Sequence, residues 1–416
     1  MPPAATTPCV ALQRNAIALL GHLLYSLVEM NLDQRVARIF DDQEPARLGS
    51  GWLSGTASIF LGFVGLAAVG CFHFPELLTS PDLRARLPMP IIRTLVQLAI
   101  GLAFLLGLIS TLLRRRKVLG ASGMGLALLA SLAGGGNVAV EGAVRSAPMY
   151  LGLDWFLVNA LLLSVLFVPI ERIWPLYRDQ SVFRPGWTTD GIYLFASHLL
   201  VQVSTLLTLM PAKVLFSWAV HPAIQIGVQS QPGVIQFFEC VFVADLSEYG
   251  VHRLFHRTRW LWPFHAVHHS STSMDWLAGS RLHVVDVVLT RGLTFVPLFL
   301  LGFDTLPLYA YLAFVSLHAV FIHANVSWRF PRWVETLFVT PRFHHWHHAA
   351  ADAAIDKNFA VHLPWIDRLF GTYYCPEGKW PDEYGITGHP VPEGYVAQLA
   401  YPVTSGSRTR VTLRDS

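Results

Sequence analysis

Residues 234–269 read VIQFFECVFVADLSEYGVHRLFHRTRWLWPFHAVHH. An apolar run passes without a break into His252 and His256, which stand at i and i+4. His265, His268 and His269 follow at i, i+3 and i+4. On a helix these spacings share one face, with neighbouring Cβ atoms about 5–6 Å apart. The stretch therefore predicts a helix that leaves an apolar layer and offers imidazoles at its end. Asp245 and Tyr249 lie on the same stripe, before His252. A carboxylate or phenol placed there can fix the tautomer of a ligand ring and raise its basicity. The linker 257–264, RTRWLWPF, is basic and aromatic and reads as an interfacial segment.

A third cluster lies further on, His344-His345-Trp346-His347-His348. His344, His347 and His348 repeat the i, i+3, i+4 pattern, and His345 faces away from them. His283, His318 and His323 stand between the second and third clusters. Scattered histidines in apolar helices are ordinarily packing or hydrogen-bonding residues, and His22, His73, His198, His221, His362 and His389 read that way. The clusters do not, because they sit at helical spacing among Trp, Phe and Leu. A metal-sequestering tract would lie in a flexible polar loop. Eight histidines at ligand spacing exceed the roughly four ligands of one tetrahedral zinc site. They fit two metals in an all-imidazole cage, and imidazole suits iron, copper, nickel and zinc alike. Few carboxylates stand at ligand spacing, and there is no HExxH, which argues against a ferritin-like cage and a zinc protease.

Working outward, the whole chain of 416 residues is 53% hydrophobic and 14% charged, with a mean hydropathy of +0.44. Soluble domains carry roughly 25% charged residues. The composition points to an all-α integral membrane protein and excludes disorder, a disulfide scaffold and a nucleic-acid binder. The four cysteines show no paired spacing. No cleavable signal peptide is expected, since Met1 to Pro8 has no basic segment. Spans are expected at Trp52–Phe74, Leu95–Leu113, Leu119–Val138, Tyr150–Pro169, Ile192–Val220 and Val234–Tyr249, then a hairpin Val284–Leu301 and Leu306–Ile322 turned at Gly302–Asp304. Val10–Met30 is a weaker candidate, interrupted by Arg14, His22 and Glu29. Placing Arg114–Lys117 in the cytoplasm puts all three histidine clusters there, by the excess of Lys and Arg in cytoplasmic loops. The loop Ser80–Arg93, with three arginines, disagrees. Three parts are expected: an N-terminal transmembrane region of unassigned role, 1–145; a catalytic domain, 150–402; and a mobile tail, 403–416.

These words in this order resemble the fatty acid hydroxylase/sterol desaturase superfamily, membrane enzymes with HxxxH, HxxHH and HxxHH boxes. The flanking words Arg281-Leu-His283, His323-Ala-Asn325, Thr340-Pro341-Arg342, Asp356-Lys-Asn358-Phe359 and Trp365-Ile-Asp367-Arg368-Leu-Phe370-Gly371-Thr372 add to the likeness. It covers roughly Asp190 to Tyr401 and looks closest to bacterial relatives of the alkylglycerol monooxygenase group. Acyl-CoA desaturases separate their first two boxes by a much longer stretch. The resemblance implies a di-iron site at the cytoplasmic side of a helical bundle in a bacterial inner membrane, with ligands His252, His256, His265, His268, His269, His344, His347 and His348. It implies a further ligand before the last box, His323 or its competitor His318, and an outer role for His283. Asp245, Tyr249 and Asn325 are the residues expected to support the ligands. The implied reaction uses O2 to hydroxylate a C–H bond of a lipid, a fatty acyl chain, a sterol or an ether lipid.

No GxGxxG, CxxCH or ferredoxin-like cysteine spacing is present. A separate electron donor is therefore implied, a reductase, a ferredoxin or a reduced pterin. Two alternatives stand beside hydroxylation. One is desaturation at the same di-iron site. The other is a histidine-rich metal transporter or haem-anchoring subunit. A transporter would need polar residues along the middle of several spans, and the spans before Asp245 hold few.

Overall fold

The computed structural model describes residues 49–80, 84, 88–140, 150–181, 183–199, 210–388 and 390–405. The expected span Val10–Met30, part of Ile192–Val220, most of the tail, His22 and His389 lie outside the described residues. Among the described residues the chain is helical, and its only β pairings are the isolated bridges Pro175–Val326 and Ala349–Tyr384.

Helices α1 (Trp52–His73), α2 (Met89–Leu113) and α3 (Val118–Leu132) pack on one another. Their core is Val69, Phe72, Val96, Ile100, Ala103, Ala127 and Ala130. Small residues let the backbones approach, as in membrane helix pairs. A Cβ on Gly107 would lie 2.7 Å from Ser58 Oγ and 2.8 Å from the Gly120 carbonyl. Helix α2 starts six residues before the expected Leu95, because Pro90 suits a first turn that needs no N–H partner.

Helix α4 (Leu153–Ile173) docks on α1 through Phe156, Leu157 and Ala160, which meet Val64, Ala67 and Ala68. It runs through Pro169, where the sequence reading ended it. Helix α5 (Trp187–Leu199) follows. Helix α6 (Gly233–Arg257) is continuous through the first histidine pair, as its apolar run predicts. Helix α7 (Trp262–His269) carries the second cluster. Helices α8 (Val284–Leu301) and α9 (Thr305–His323) form the expected hairpin. Gly302 turns it with φ 66°, a left-handed conformation that glycine adopts without strain. Helix α10 (Pro341–His347) carries the third cluster, α11 (Trp365–Leu369) lies over it, and α12 (Tyr395–Thr404) packs beside α7.

Among the described residues six helices are long and apolar enough to cross a membrane: α1, α2, α3 with its extension to Asn137, α4, α8 and α9. Only 17–39% of their apolar stretches is buried inside the protein. Leu112, Leu132 and Val165 are 74%, 84% and 64% exposed, a surface that a bilayer covers and water would not. This is an integral membrane protein.

One end of the bundle collects the charged segments. Gly51, before α1, lies against Leu113 and Arg114 at the end of α2. Trp52 meets Phe183 edge-on at 6.4 Å, with Arg172 over its ring. Arg184, next to Phe183, binds Asp275 in the loop after α7. The Arg114–Lys117 run and the histidine clusters therefore share one end. Of the three arginines that disagreed, Arg86 lies outside the described residues, and Arg84 and Arg93 donate to the carbonyls of Pro75 and Gly136 at 2.8 and 2.6 Å. Their charges cap backbone carbonyls at the opposite end.

Candidate metal centre

Nine buried histidines converge where α6, α7, α9 and α10 meet. His252, His256, His265, His269 and His347 form one group, and His268, His323, His344 and His348 a second. Within each group the ring nitrogens lie within 4.8 Å of one another. The second and third clusters are each shared between the groups. His265 and His269, the i/i+4 pair of α7, enter the first group, and His268 enters the second. The third cluster does the reverse, giving His347 to the first group and His344 and His348 to the second. At about 100° per residue, i+3 and i+4 diverge to opposite sides of i, so one turn of helix serves two centres.

Six of the nine outer nitrogens are held by the chain itself, whereas the buried Nδ1 atoms of His344 and His348 have no partner. The Nδ1 of His252 lies 2.8 Å from the Phe359 carbonyl, and that of His347 2.8 Å from the Lys357 carbonyl. The Nδ1 of His256 is 3.4 Å from Asp356 Oδ1. Thus the short segment Asp356–Phe359 orients three rings of the first group. Asp356 and Asn358 have φ of 56° and 61°, a conformation that costs non-glycine residues energy and persists where the surroundings enforce it. Asn358 enforces it here: its amide donates to the Phe343 and Tyr374 carbonyls and its Oδ1 accepts from Tyr374 N–H.

His265 is held by Asp286, Nδ1 to Oδ2 at 2.7 Å. His268 Nδ1 faces the Arg281 carbonyl at 3.0 Å, and His323 Nδ1 the Ala319 carbonyl at 2.6 Å. Arg281 is fixed in turn by Asp190, which also binds Arg184, itself bound to Asp275. This buried ionic chain joins α5 to the loop between α7 and α8.

Where Nδ1 carries the proton toward such an acceptor, Nε2 presents a lone pair inward. Nε2 atoms approach at 3.0 Å for His252–His265, 3.2 Å for His265–His269, 3.0 Å for His323–His344 and 3.1 Å for His344–His348. His256 and His347 have a buried Nε2 with no partner. Lone pairs gathered in this way repel unless cations lie among them, so the residues fit metal ions. Burial, reinforced by neighbouring rings, pushes His268, His269, His344, His347 and His348 well below the usual imidazole value. They are neutral at pH 7, the form that a metal binds.

The remaining sequence candidates lie outside both groups. His318 pairs with His362, Nδ1 to Nδ1 at 2.9 Å, and it is His323 that reaches the second group. His283 caps α8, accepting from Val285 N–H at 3.1 Å. His345 faces Tyr384, Nδ1 to hydroxyl at 2.8 Å. Asp245 touches no imidazole: it accepts from the backbone N–H groups of Val361, His362 and Leu363. Tyr249 meets the Thr372 hydroxyl at 3.0 Å, and Asn325 binds the backbone of Tyr177. These three hold loops around the site rather than its rings. Their place on the helix stripe was legible, but their partners come from distant segments. Asp286 is the carboxylate that the sequence reading missed, since it lies 21 residues from His265 in the chain.

The family model for fatty acid hydroxylase matches residues 237–372. An ornithine lipid hydroxylase of Rhizobium tropici is 30% identical over 283 residues, 65% of this chain and 82% of that protein. The alkylglycerol monooxygenase of Homo sapiens is 32% identical over 148 residues, 35% of this chain and 32% of that protein. Methylsterol monooxygenase 1 of Gallus gallus is 25% identical over 138 residues, 33% of this chain and 45% of that protein. No solved structure matches the chain.

Proposed function

The chain belongs to the fatty acid hydroxylase family, and from that premise we propose that it hydroxylates a C–H bond of a membrane lipid with O2. The observation that carries this reading is the pair of all-imidazole groups at one rim of an apolar bundle. The group of five and the group of four would each hold one iron. The irons would supply the oxidising power, which no side chain can provide. The chain's own residues do the rest. Lys357, Phe359, Arg281, Ala319 and Asp286 hold the rings with Nε2 inward. Phe255, Phe359 and Trp262 pack on the histidine rings of the first group and keep water from them.

Electrons come from a separate donor, a reductase, a ferredoxin or a reduced pterin. The histidine rim faces the cytoplasm, in a bacterial host across the inner membrane. The support is that Arg114–Lys117 lies at the same end of the bundle as the clusters, and such runs stay cytoplasmic. The test is turnover of lipid vesicles under labelled dioxygen with a supplied reductant. A lipid that gains one labelled oxygen is the expected product. A lipid that loses two hydrogens without label would establish desaturation instead, and turnover without oxygen would overturn the reading.

A further inference from the structure

Glu171 stands in the last turn of α4, upstream of the family-matched residues 237–372. A carboxylate there runs against the helix dipole, which favours cations at that end. An ionisable group in a span is also costly and marks a functional place by default. The helix gains nothing from it, and its role lies with its partners. One oxygen, Oε1, accepts two backbone N–H groups, Trp276 at 2.7 Å and Asn325 at 2.9 Å. That takes both lone pairs of the oxygen. The two donors belong to different loops. Trp276 lies in the loop 270–283 between α7 and α8, and Asn325 two residues past His323, the last residue of α9.

Both loops bear on one histidine group. In 270–283 the Arg281 carbonyl holds His268 Nδ1 at 3.0 Å. In the same loop the backbone at Gly279 lies tight against the His323 ring. A Cβ there would stand 3.0 Å from His323 Nδ1 and 3.2 Å from its Cγ. Asp275 shapes that turn by accepting from Leu277 and Ala278 N–H at 3.1 and 2.9 Å. On the other side, the chain leaving His323 is clasped to the chain leaving α4. Leu176 N–H donates to the Asn325 carbonyl at 3.3 Å, and Ser327 N–H to the Trp174 carbonyl at 2.9 Å. Phe167 and Leu163, one and two turns before Glu171 on the same stripe, pack on Ala324 and Val326. His268 and His323 both belong to the second group, Nε2 to Nε2 at 3.3 Å. The first group is held elsewhere, by Asp286 and the segment Asp356–Phe359.

We propose that Glu171 is a positioning residue for the second histidine group. It ties both loops to the end of α4 and so fixes how His268 and His323 face each other. The inference rests on the reading of the two groups as metal centres, and it gives α4 a share in one of them. Glu171 acts through backbone N–H groups. An acceptor of the same reach therefore serves in its place, and a shorter or absent one does not.

The experiment is titration of the metal-free protein in detergent with zinc, read by native mass spectrometry. Wild type is expected to take two ions. Glu171→Ala should weaken one of them about tenfold, the lower end of the loss when the support of a ligand histidine is changed. Glu171→Gln keeps an acceptor oxygen and should bind both ions nearly as wild type does. Two ligand substitutions show which ion responds. With His347→Ala, which strips the first group, Glu171→Ala should weaken the remaining ion about tenfold. With His344→Ala, which strips the second, it should leave the remaining ion unchanged. Equal weakening in both backgrounds would mean a general loss of structure and overturns the proposal, as does no effect with His347→Ala. If Glu171→Ala does not fold, Glu171→Asp, one methylene shorter, replaces it in both backgrounds with the same expectation. Wild type that takes fewer than two ions overturns the two-centre reading and the proposal with it, whereas two ions that ignore Glu171 overturn the positioning alone.

Discussion

Asp286 Oδ2 accepts the Nδ1–H of His265 at 2.7 Å, linking the start of one span to the middle of the second histidine cluster. Thr290 Oγ1 donates to the other oxygen of the same carboxylate at 3.0 Å. The carboxylate is buried and makes no further hydrogen bond among the described residues, so its geometry serves the ring. His265 in turn lies within 3.0 Å of His252 and 3.2 Å of His269. A change at Asp286 is felt by the first group and not by the second.

Asp286→Asn tests that selectivity. The amide keeps the shape and loses the charge that raises the basicity of the imidazole. Activity should fall about 10–100-fold, the usual loss when the partner of a ligand histidine is changed. Metal analysis should show loss from one group first, near one ion per chain. Full metal content with full activity would show that Asp286 only packs.

His347→Ala and His345→Ala separate neighbours in one helix. His347 belongs to the first group, so its removal should abolish activity and lower metal content. His345 is fully buried and faces Tyr384, away from both groups. Its removal leaves a cavity and takes one of two partners from the Tyr384 hydroxyl, which keeps Tyr177, costing about 1–3 kcal/mol of stability, while metal is retained. Thermal unfolding and metal analysis of both variants check the contrast.

Asn358→Ala should act on the site through the backbone. It removes three hydrogen bonds, to Phe343, Tyr374 and from Tyr374 N–H, each worth about 1 kcal/mol net. It also places alanine at φ 61°. Destabilisation of about 3 kcal/mol or more is expected, with looser rings at His347 and His252. Asn358→Gly relieves the backbone and should recover part of the stability but not the metal affinity.

Orientation is checked with single cysteines in a cysteine-free background. Ser271, beside the second cluster, is 2% exposed and unsuited to labelling. Lys379→Cys lies on the exposed surface over the histidine rim, and Glu76→Cys at the opposite end of α1. Lys379→Cys should react with a membrane-impermeant reagent only from the cytoplasmic side, and Glu76→Cys only from the other. The reverse pattern would invert the proposed orientation.

The sequence by itself determined the helical membrane class, the hairpin Val284–His323 and the histidines that share helix faces. Each follows from local rules: apolar length, a glycine free to turn left-handed at Gly302, and the 3.6-residue period. It also set His345 apart from His344, His347 and His348, because position i+1 leaves the ligand face. Only the tertiary structure decided how the rings divide. His268 leaves its neighbours for His323, His344 and His348, and His347 crosses to the group of α6. Periodicity fixes a direction around one helix axis, whereas a group needs the crossing of four helices, which no local pattern encodes. The same holds for the outer partners. Asp245 was well placed on the α6 stripe yet binds the backbone of Val361–Leu363. Lys357 and Phe359 act through carbonyls that every residue carries. A main-chain acceptor has no side-chain signature, so the segment that aims the rings becomes visible only when the chain is folded around them.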